Sequence, residues 1–331
     1  MAAKDTVLVT GGAGYIGSHV VLQLRERGER VVVLDNLVTG FRQAVLDAPL
    51  IVGNAGDGEL LRRTIAEHGV TAVLHFAAHT IVPESVREPL KYYGNNTCAT
   101  RNLLAACLEG GVRQFVFSST AAVYGMPEGG IAREDSRMAP INAYGTSKLM
   151  SEWMLRDVAA VNDLRAVALR YFNVAGSDPQ CRIGQATAKA TLLIKVACEV
   201  VVGKRSHVSI YGTDYPTSDG TGIRDYIHVD DLARAHLNAL DYLRAGGTTT
   251  TLKCGYGHGY SVREVLDSVQ RVAGKRIEIR EEPRREGDPP TLVAGAERIR
   301  AVLGREPKLD DLDGIVRTAL RWEERLQRSP W

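Results

Sequence analysis

Tyr144 and Lys148 are the two residues whose types and spacing point most directly to chemistry. They lie four positions apart within residues 142–160, which have a helical pattern, so both side chains are expected on one helix face. An ammonium group close to a phenol favours the phenolate and lowers the tyrosine pKa from its ordinary value of about 10. Such a phenolate can take a proton from a hydroxyl group near neutral pH. A surface pair on an amphipathic helix has the same short pattern, so the interpretation needs support from elsewhere.

Thr120 supplies that support. It ends a strand-like segment, residues 115–120, that carries hydroxyl side chains at its C-terminal end. In a parallel α/β sheet, ligands bind at that end of the strands. We therefore predict that Thr120 hydrogen-bonds the reacting hydroxyl group and carries its proton to or from Tyr144.

A glycine-rich loop follows the apolar run at residues 6–9 and precedes a helical pattern. Its spacing is Gly-x-x-Gly-x-x-Gly, at Gly11, Gly14 and Gly17. The first glycine permits a tight turn, the second lets a pyrophosphate approach bare backbone, and the third lets helix and strand pack closely. The N-terminus of the helix then faces the phosphates with unpaired N–H groups. A simple glycine turn is the alternative, but the strand–loop–helix context favours a dinucleotide site.

Asp35 ends the next apolar run, residues 31–34. An acid at that strand end accepts hydrogen bonds from both adenosine ribose hydroxyls and repels a 2′-phosphate. The predicted cofactor is therefore NAD rather than NADP. An acid that begins a turn before Asn36 is the alternative interpretation.

Short apolar runs alternate with helical patterns over the first 175 residues or so. Runs of this kind are typical of parallel strands buried on both faces, and the alternation implies right-handed βαβ crossovers. We predict an α/β fold with a Rossmann-type doubly wound parallel sheet. The predicted strands are residues 6–9, 31–34, 72–76, 114–117 and 166–169, and the predicted helices are residues 15–27, 58–68, 97–109 and 142–160.

The pattern changes after about residue 175. Residues 203–222 are rich in turn formers, 230–244 have a strong helical pattern, and 248–251 suit the edge of a strand. We predict an NAD-binding Rossmann domain in residues 1–175, with a return segment near 223–256. Residues 176–331 are predicted to form a smaller α/β domain that binds the substrate.

Composition excludes several classes of function. The 331 residues carry 41 Lys and Arg against 39 Asp and Glu, a net charge of +2, without the basic surplus of a general nucleic-acid binder. The five cysteines include no Cys-x-x-Cys pair, which favours a reducing, cytoplasmic compartment. We expect no signal peptide and no membrane span. No metal site is expected either, because His75 and His79 lack a nearby carboxylate and the other histidines have no ligand spacing.

Several longer segments resemble UDP-glucose 4-epimerases of the extended short-chain dehydrogenase/reductase superfamily, where UDP is uridine diphosphate. The resemblance extends from Val7 to about Glu324. The matching segments are residues 9–19, 34–37, 75–78, 92–96, 170–173, 222–229 and 283–288.

The resemblance implies a role for each matching residue. Tyr144 is implied to be the acid/base. Lys148 is implied to adjust the pKa of Tyr144 and to bind the nicotinamide ribose, and Thr120 occupies the family's Ser or Thr position. Arg224 and Arg285 resemble diphosphate clamps, for which guanidinium groups are suited. The implied cofactor residues are Gly11, Gly14, Tyr15, Ile16, Gly17, Asp35, Asn36, Asn54, Ala55, Phe76, Ala77, Ala78, Asn95, Ser118, Tyr144, Lys148 and Tyr171. The implied substrate residues are Thr120, Tyr144, Phe172, Asn173, Leu192, Leu193, Tyr211 (uridine), Arg224, Arg285, Asp288 (ribose) and Leu292.

The implied reaction is a redox-neutral epimerisation at C4 of a UDP-hexose, UDP-glucose or UDP-galactose, through a transient 4-keto sugar on NAD. The resemblance also implies a homodimer formed through residues 97–109 and 142–160. Four positions depart from the family pattern. Leu192 stands where His or Asn is common, and Leu292 stands where the family often has Tyr or a small residue, at the site that limits bulk at the sugar C2. Thr80 stands where some members have Lys near the cofactor, and Asn54 replaces the usual Asp beside the adenine.

Alternatives remain open for the substrate and the reaction. Because Leu292 is intermediate in size, N-acetylated UDP-hexoses remain possible substrates. Nothing in the sequence excludes UDP-pentoses as substrates. A nucleotide-sugar dehydratase needs an acidic pair after Thr120, and a decarboxylase needs a Glu there, but residues 121–124 contain no carboxylate. A non-catalytic NAD-binding regulator is the third alternative, although such proteins often lose the Tyr or the Lys.

Overall fold

The computed structural model describes residues 5–188, 190–285, 287–304 and 306–331, so Glu286 of the 283–288 motif lies outside the described residues. The strands are β1 (Thr6–Thr10), β2 (Arg30–Asp35), β3 (Leu50–Val52), β4 (Val70–His75), β5 (Gln114–Thr120), β6 (Ile131–Ala132), β7 (Arg165–Tyr171), β8 (Asn173–Ala175), β9 (Val208–Tyr211), β10 (Ile223–Arg224), β11 (Tyr226–His228), β12 (Thr250–Cys254), β13 (Tyr260–Ser261), β14 (Ile279–Glu282) and β15 (Thr291–Ala294). The α-helices are α1 (Tyr15–Glu26), α2 (Gly58–His68), α3 (Val82–Arg87), α4 (Pro89–Tyr92), α5 (Ala99–Glu109), α6 (Ala143–Val161), α7 (Leu193–Val201), α8 (Val229–Arg244), α9 (Val262–Ala273), α10 (Glu297–Leu303) and α11 (Leu312–Arg328).

Seven strands form the central sheet, in the order β12-β7-β5-β4-β1-β2-β3. Every neighbouring pair in it is parallel. The chain moves outward in one direction from β1 to β3 and in the other direction from β4 to β12. A parallel sheet of this order places a ligand crevice at the carboxyl ends of β1 and β4, where the direction reverses. The predicted fold class, a doubly wound parallel sheet, is confirmed.

Alternate residues of the strands pack into two separate cores, one on each face of the sheet. Val7 and Val9 join one cluster with residues of α1 and α8, whereas Leu8 joins the other with residues of α2, α5 and α6. Both faces of the sheet are therefore covered by helices. This explains why the strand sequences are continuously apolar and do not alternate between apolar and polar residues.

Several element boundaries differ from the predictions. The strand expected at residues 248–251 is β12, which runs from Thr250 to Cys254 and pairs with β7. The helix expected at residues 97–109 is α5, and a π-helical turn, Tyr93–Cys98, joins it to α4. The sequence patterns also missed the short strand β3. Length explains that omission, because three residues are too few for a periodic signal.

The later part of the chain contributes to the central sheet and also forms smaller ones. β12 and α8 lie within residues 223–256, and His19 of α1 contacts Asp230 of α8, with 2.6 Å between His19 Nδ1 and a carboxylate oxygen. The smaller sheets have the orders β13-β10-β15-β6, β11-β8 and β14-β9. None of the helices in the described part of the chain has both the length and the apolar character needed to span a membrane. All five cysteines are free thiols.

Candidate active site

The glycine-rich loop leaves no room for a side chain at Gly11 or at Gly17. Gly11 has a φ of 72°, and a Cβ there would lie 2.5 Å from the backbone nitrogen of Ala77. A Cβ on Gly17 would lie 2.2 Å from the carbonyl oxygen of Gly11. Helix α1 begins at Tyr15, and no side chain of the described residues caps it. Its first-turn N–H groups, including that of Ile16, are therefore suited to an anion that approaches the backbone at Gly14.

Asp35 is fixed beside this loop at the end of β2. Its carboxylate accepts hydrogen bonds from the backbone N–H groups of Ala13 at 3.0 Å and Leu37 at 2.8 Å. Burial raises the pKa of Asp35, and the two backbone hydrogen bonds oppose that rise. Asn36 is exposed and accepts a hydrogen bond from the N–H group of Val38. A loop that exposes its backbone fits the pyrophosphate of a dinucleotide, and an acid held next to the loop fits the ribose.

The neighbouring strand ends bring further predicted cofactor residues to the same edge. The N–H groups of Phe76 and Ala77, which follow β4 and precede Ala78, donate hydrogen bonds to the carbonyl oxygen of Thr10 at 2.8 and 3.1 Å. Asn54 and Asn95 line an open cavity of about 440 Å³, while Ala55 beside Asn54 is buried. The Asn54 side-chain oxygen accepts from the N–H group of Gly56 at 2.8 Å, which leaves its amide NH₂ group available to a ligand.

Asn96 is a buried residue of this region that the sequence reasoning missed. Its amide donates hydrogen bonds to the carbonyl oxygen of His79 at 3.1 Å and to the hydroxyl of Ser147 at 3.0 Å. Its side-chain oxygen accepts from the N–H group of His79 at 2.8 Å and from Asn95 at 3.1 Å. Asn96 thus joins the loop after β4 to helix α6. Its position next to Asn95 in a Tyr-Gly-Asn-Asn run was the available signal.

Tyr144 lies in the first turn of α6. The side chain of Asn142 caps this helix by accepting a hydrogen bond from the N–H group of Gly145 at 2.8 Å. Tyr144 is buried, and the ring of Tyr92 meets it edge-on with 6.5 Å between ring centroids. The side chain of Thr120 lies next to Tyr144 and acts to lower the pKa of the phenol. The structure therefore brings together the tyrosine and the threonine that the sequence predicted as proton-transfer partners.

Lys148 lies one helical turn beyond Tyr144 and is only 2% exposed. Its ammonium group donates a hydrogen bond to the carbonyl oxygen of Ser118 at 2.8 Å and sits 4.9 Å from the ring centroid of Phe117. Burial lowers the pKa of Lys148 to about 7, and the carboxylate of Glu152 opposes that change.

The pKa of Tyr144 corrects one expectation. Burial raises it above its ordinary value, and the neighbouring hydroxyl of Thr120 acts in the opposite direction. The sequence predicted a lowered pKa from the neighbouring ammonium group. The difference arises because removal of the phenolate from water outweighs other effects, while Lys148 is directed to Ser118 and itself gives up its proton more readily.

Ser118 and Tyr171 form a second pair of hydroxyl groups at these strand ends. Their side-chain oxygens are 2.5 Å apart. In the parallel pairing of β5 with β7, Thr120 lies opposite Tyr171. The predicted cofactor residues Ser118 and Tyr171 and the predicted catalytic residues Thr120, Tyr144 and Lys148 thus occupy one region of the sheet edge.

The predicted diphosphate and nucleoside residues occur as contacting pairs. Arg224 lies 3.2 Å from a carboxylate oxygen of Asp288. The guanidinium of Arg285 lies 3.7 Å from the ring centroid of Tyr211. The sequence assigned Arg224 and Asp288 to different parts of a ligand, and it did not anticipate that each would be a partner of the other.

The remaining predicted substrate residues lie near the pairing of β10 with β15, at the start of β8 and at the start of α7. Leu292 of β15 lies opposite Arg224 in the parallel pairing with β10 and packs against an apolar cluster that includes Phe172. The N–H group of Asn173 donates to the carbonyl oxygen of Asp225 at 3.0 Å. Leu192 precedes α7, and Leu193 packs against the main core. In the described part of the chain, no cluster of three or more His, Cys, Asp and Glu residues could hold a metal ion.

Comparison with known proteins then places the chain among its relatives. A family model described as the NAD dependent epimerase/dehydratase family matches residues 7–255. The chain belongs to the NAD-dependent epimerase/dehydratase family. This membership confirms the resemblance and the prediction of an NAD cofactor.

Three relatives illustrate how closely the chain follows this family. The UDP-glucose 4-epimerase of Azospirillum brasilense is 56% identical over 329 residues, which cover 99% of this chain and 94% of the relative. The crystal structure of a UDP-glucose 4-epimerase from Brucella ovis in complex with NAD superposes with a TM-score of 0.93 at 42% identity, covering 96% and 98% of the two chains. The UDP-Glc/GlcNAc 4-epimerase of Campylobacter jejuni superposes with a TM-score of 0.85 at 45% identity, covering 97% and 99%.

Proposed function

We propose that this protein is an NAD-dependent isomerase that interconverts UDP-glucose and UDP-galactose by epimerisation at the sugar C4. The observation that carries the proposal is the position of Tyr144 next to Thr120, with Lys148 one turn away, at the strand ends beside a dinucleotide loop. The near full-length identity to UDP-glucose 4-epimerases supports the same reaction. The proposed epimerisation is redox-neutral, because the hydride removed from C4 returns to the same carbon.

Tyr144 and Thr120 handle the proton of the C4 hydroxyl group. Bound NAD supplies reversible hydride acceptance at C4. Tyr144 accepts the hydroxyl proton, with Thr120 bridging the two oxygens, and returns that proton when the 4-keto sugar is reduced. The chain's own groups around this step are buried, so bulk water does not compete for the proton. Glycine residues 11, 14 and 17, Asp35 and the strand-end residues hold the dinucleotide.

The substrate is held mainly through its nucleotide, and the hexose is left free to turn. Arg224 and Arg285 bind the diphosphate, for which two guanidinium groups provide fork-shaped donors. Tyr211 stacks beneath the uracil, and Asp288 accepts a ribose hydroxyl. Binding energy from this distant part of the substrate orients C4, while the 4-keto sugar rotates and presents its other face.

Leu292 and Phe172 form the apolar wall that bears on substrate range. They belong to one cluster with Tyr124 and Leu149. A leucine at this position blocks less space than a tyrosine, so N-acetylated UDP-hexoses are the second candidate substrates. A relative at 45% identity is a UDP-Glc/GlcNAc 4-epimerase, which favours this second candidate.

The organisation of the chain is also part of the proposal. Residues 1–175 and the return segment near 223–256 form the NAD-binding domain, and the rest forms the substrate domain, supported by the pairing of β12 with β7. The protein acts as a cytoplasmic homodimer. Exposed apolar residues on α5 and α6 support a helix-to-helix interface: Leu108, Met150, Trp153 and Val161.

One assay tests the proposed function. Purified protein is incubated with UDP-glucose or UDP-galactose and no added cofactor, and the products are separated by chromatography. We expect each sugar to form the other, and acid release to yield NAD from the protein. A protein that carries NAD but converts neither sugar contradicts the substrate, and release of a 4-keto-6-deoxy sugar identifies a dehydratase instead.

A further inference from the structure

Glu152 is a buried acid that the proposed mechanism leaves unused. It lies in α6, one turn beyond Lys148, and is buried. One carboxylate oxygen accepts hydrogen bonds from the hydroxyl of Ser119 and from Nε of Arg170, the latter at 2.9 Å. The other accepts from Nε at 3.1 Å and from a terminal nitrogen of Arg170 at 2.5 Å. A buried charge held by this many donors is costly to disturb.

The partners of Glu152 come from two neighbouring strands. Ser119 of β5 and Arg170 of β7 lie directly opposite each other in the parallel pairing. Ser119 stands between Ser118 and Thr120, and Arg170 immediately precedes Tyr171. Because side chains alternate along a strand, Ser119 and Arg170 point to the face covered by α6. One carboxylate therefore fixes this helix against both strand ends that carry the reacting hydroxyl groups.

The charged surroundings of Lys148 give the same acid a second role. The titratable groups that interact with Lys148 are His75 from β4 and Glu152 from α6, and Tyr144 lies one turn before Lys148 on the same helix. Burial lowers the pKa of His75 to about 3, so that ring carries no charge near neutral pH. Glu152 is in turn faced by Arg170, by Lys148 and by Tyr124. The carboxylate of Glu152 is thus the negative charge that opposes loss of the Lys148 proton.

We propose that Glu152 is a positioning residue for the epimerisation, which holds α6 in register with the ends of β5 and β7 and places a negative charge on the helix face that carries Lys148. The proposal rests on the proposed function, since Lys148 matters here as part of the site that carries out the epimerisation. Arg170 offsets the charge of Glu152, which allows the carboxylate to lie in the interior, and Glu152 is the member of the pair that acts on Lys148. A Tyr-x-x-x-Lys-x-x-x-Glu spacing on one helix face is the corresponding sequence pattern.

Glu152→Gln tests the electrostatic part, because glutamine keeps the size and one acceptor oxygen but removes the charge. We expect kcat for UDP-glucose to fall about tenfold or more while KM changes less than about threefold, since Glu152 does not touch the substrate. The alkaline limb of the kcat–pH profile should move to lower pH, because Lys148 loses its proton more easily. Glu152→Asp keeps the charge and should restore the position of that limb.

Glu323→Gln is the matched control. Glu323 of α11 is equally buried and pairs with Lys195, away from the strand ends. The control should leave kcat and its pH profile as in the unchanged protein. Equal loss of kcat in both variants without any movement of the alkaline limb would show a merely structural role and overturn the proposal. An unchanged profile in Glu152→Gln would do the same.

A titration of Lys148 supplies a readout that does not depend on turnover. The protein is labelled with ¹³C-lysine, and the Lys148 resonance is assigned by its absence in Lys148→Arg. Glu152→Gln should lower the midpoint of that resonance, whereas Glu323→Gln should not.

If Glu152→Gln fails to fold, the paired variant Glu152→Gln with Arg170→Met removes both charges and should still lower the midpoint. An unchanged midpoint overturns the proposal. If the unchanged protein converts no UDP-sugar while Glu152→Gln still lowers the midpoint, the Glu152–Lys148 coupling stands and the proposed function is rejected instead.

Discussion

The ammonium group of Lys148 donates a 2.8 Å hydrogen bond to the backbone carbonyl of Ser118, and so ties α6 to the end of β5. Ser118 is two residues from Thr120, whose side chain lies next to Tyr144 and acts to lower the pKa of the phenol. The lysine is therefore held by the strand rather than by the tyrosine. The hydroxyl of Tyr144 lies beside Thr120, as the proposed proton transfer requires.

Tyr144→Phe removes the proposed proton acceptor and leaves the ring. We expect turnover of UDP-glucose to fall about 10²- to 10⁴-fold, the usual contribution of a general acid or base. Binding of UDP, measured by calorimetry, should be unchanged because the nucleotide residues are untouched. Tyr242→Phe on α8 is the control and should keep full turnover. Near-normal turnover in Tyr144→Phe would falsify the assignment of Tyr144.

Lys148→Met should make the fold more stable, most clearly at low pH. Burial lowers the pKa of Lys148 to about 7, below the ordinary lysine value of about 10.4. Between these values the unfolded chain binds more protons, so the stability of the unchanged protein rises with pH. The destabilising effect of the charge is full below pH 7 and vanishes above the ordinary value.

Melting curves at pH 6 and pH 9.5 check this expectation. Lys148→Met should gain several degrees in Tm at pH 6 and clearly less at pH 9.5. Lys195→Met is the control, because its ammonium group pairs with the buried Glu323 and its removal should lower Tm at both values. A gain in Lys148→Met that is the same at both pH values contradicts the assigned cause.

Asp35→Asn should weaken the binding of NAD about tenfold or more, because the substitution removes the charged hydrogen-bond acceptor proposed for two ribose hydroxyls. Binding of NADP should improve as the repulsion of its 2′-phosphate is removed. Burial raises the pKa of Asp35, so NAD affinity in the unchanged protein should fall as the pH drops through that raised value. The variant should lack this dependence.

Calorimetric titrations with NAD and NADP over a pH series measure these effects. Asp47→Asn serves as the control, since Asp47 is exposed and pairs with Arg25 on the surface. If Asp35→Asn and Asp47→Asn bind both dinucleotides equally well, Asp35 does not select the cofactor.

Leu292→Tyr tests the wall of the hexose site. The added bulk should remove activity on UDP-GlcNAc and leave conversion of UDP-glucose within about threefold, because only the N-acetyl group needs the space. The substrate panel includes UDP-xylose and UDP-arabinose and is run on both proteins. The same ratio of the two activities before and after the substitution rejects Leu292 as the specificity residue.

Trp153→Glu tests the dimer interface. Trp153 on α6 is 43% exposed, and a charge there should disfavour burial of the apolar face against a second copy. We expect sedimentation to give a dimer for the unchanged protein and a monomer for the variant. Trp331→Glu, outside α5 and α6, should stay dimeric. A monomer in the unchanged protein removes the interface from the proposal.

Local features of the chain were predictable to within a few residues. The glycine loop, the acid after β2 and the long helix with Tyr144 depend on neighbouring residues, whose conformations and periodicity are visible in sequence. The short strand β3 and the π-helical turn at Tyr93–Cys98 were not visible, since neither is long enough to repeat a pattern.

The sequence by itself determined which residue types stand at the strand ends and how far apart they lie along the chain. Tertiary structure decided which of those ends are neighbours and how deeply each group is buried. β12 joins β7 across a long stretch of chain, and Arg170 meets Glu152 only because β7 and α6 pack together. The pKa of Tyr144 is raised rather than lowered for the same reason. Hydration and charge at a side chain depend on what packs around it, which spacing along the chain does not specify.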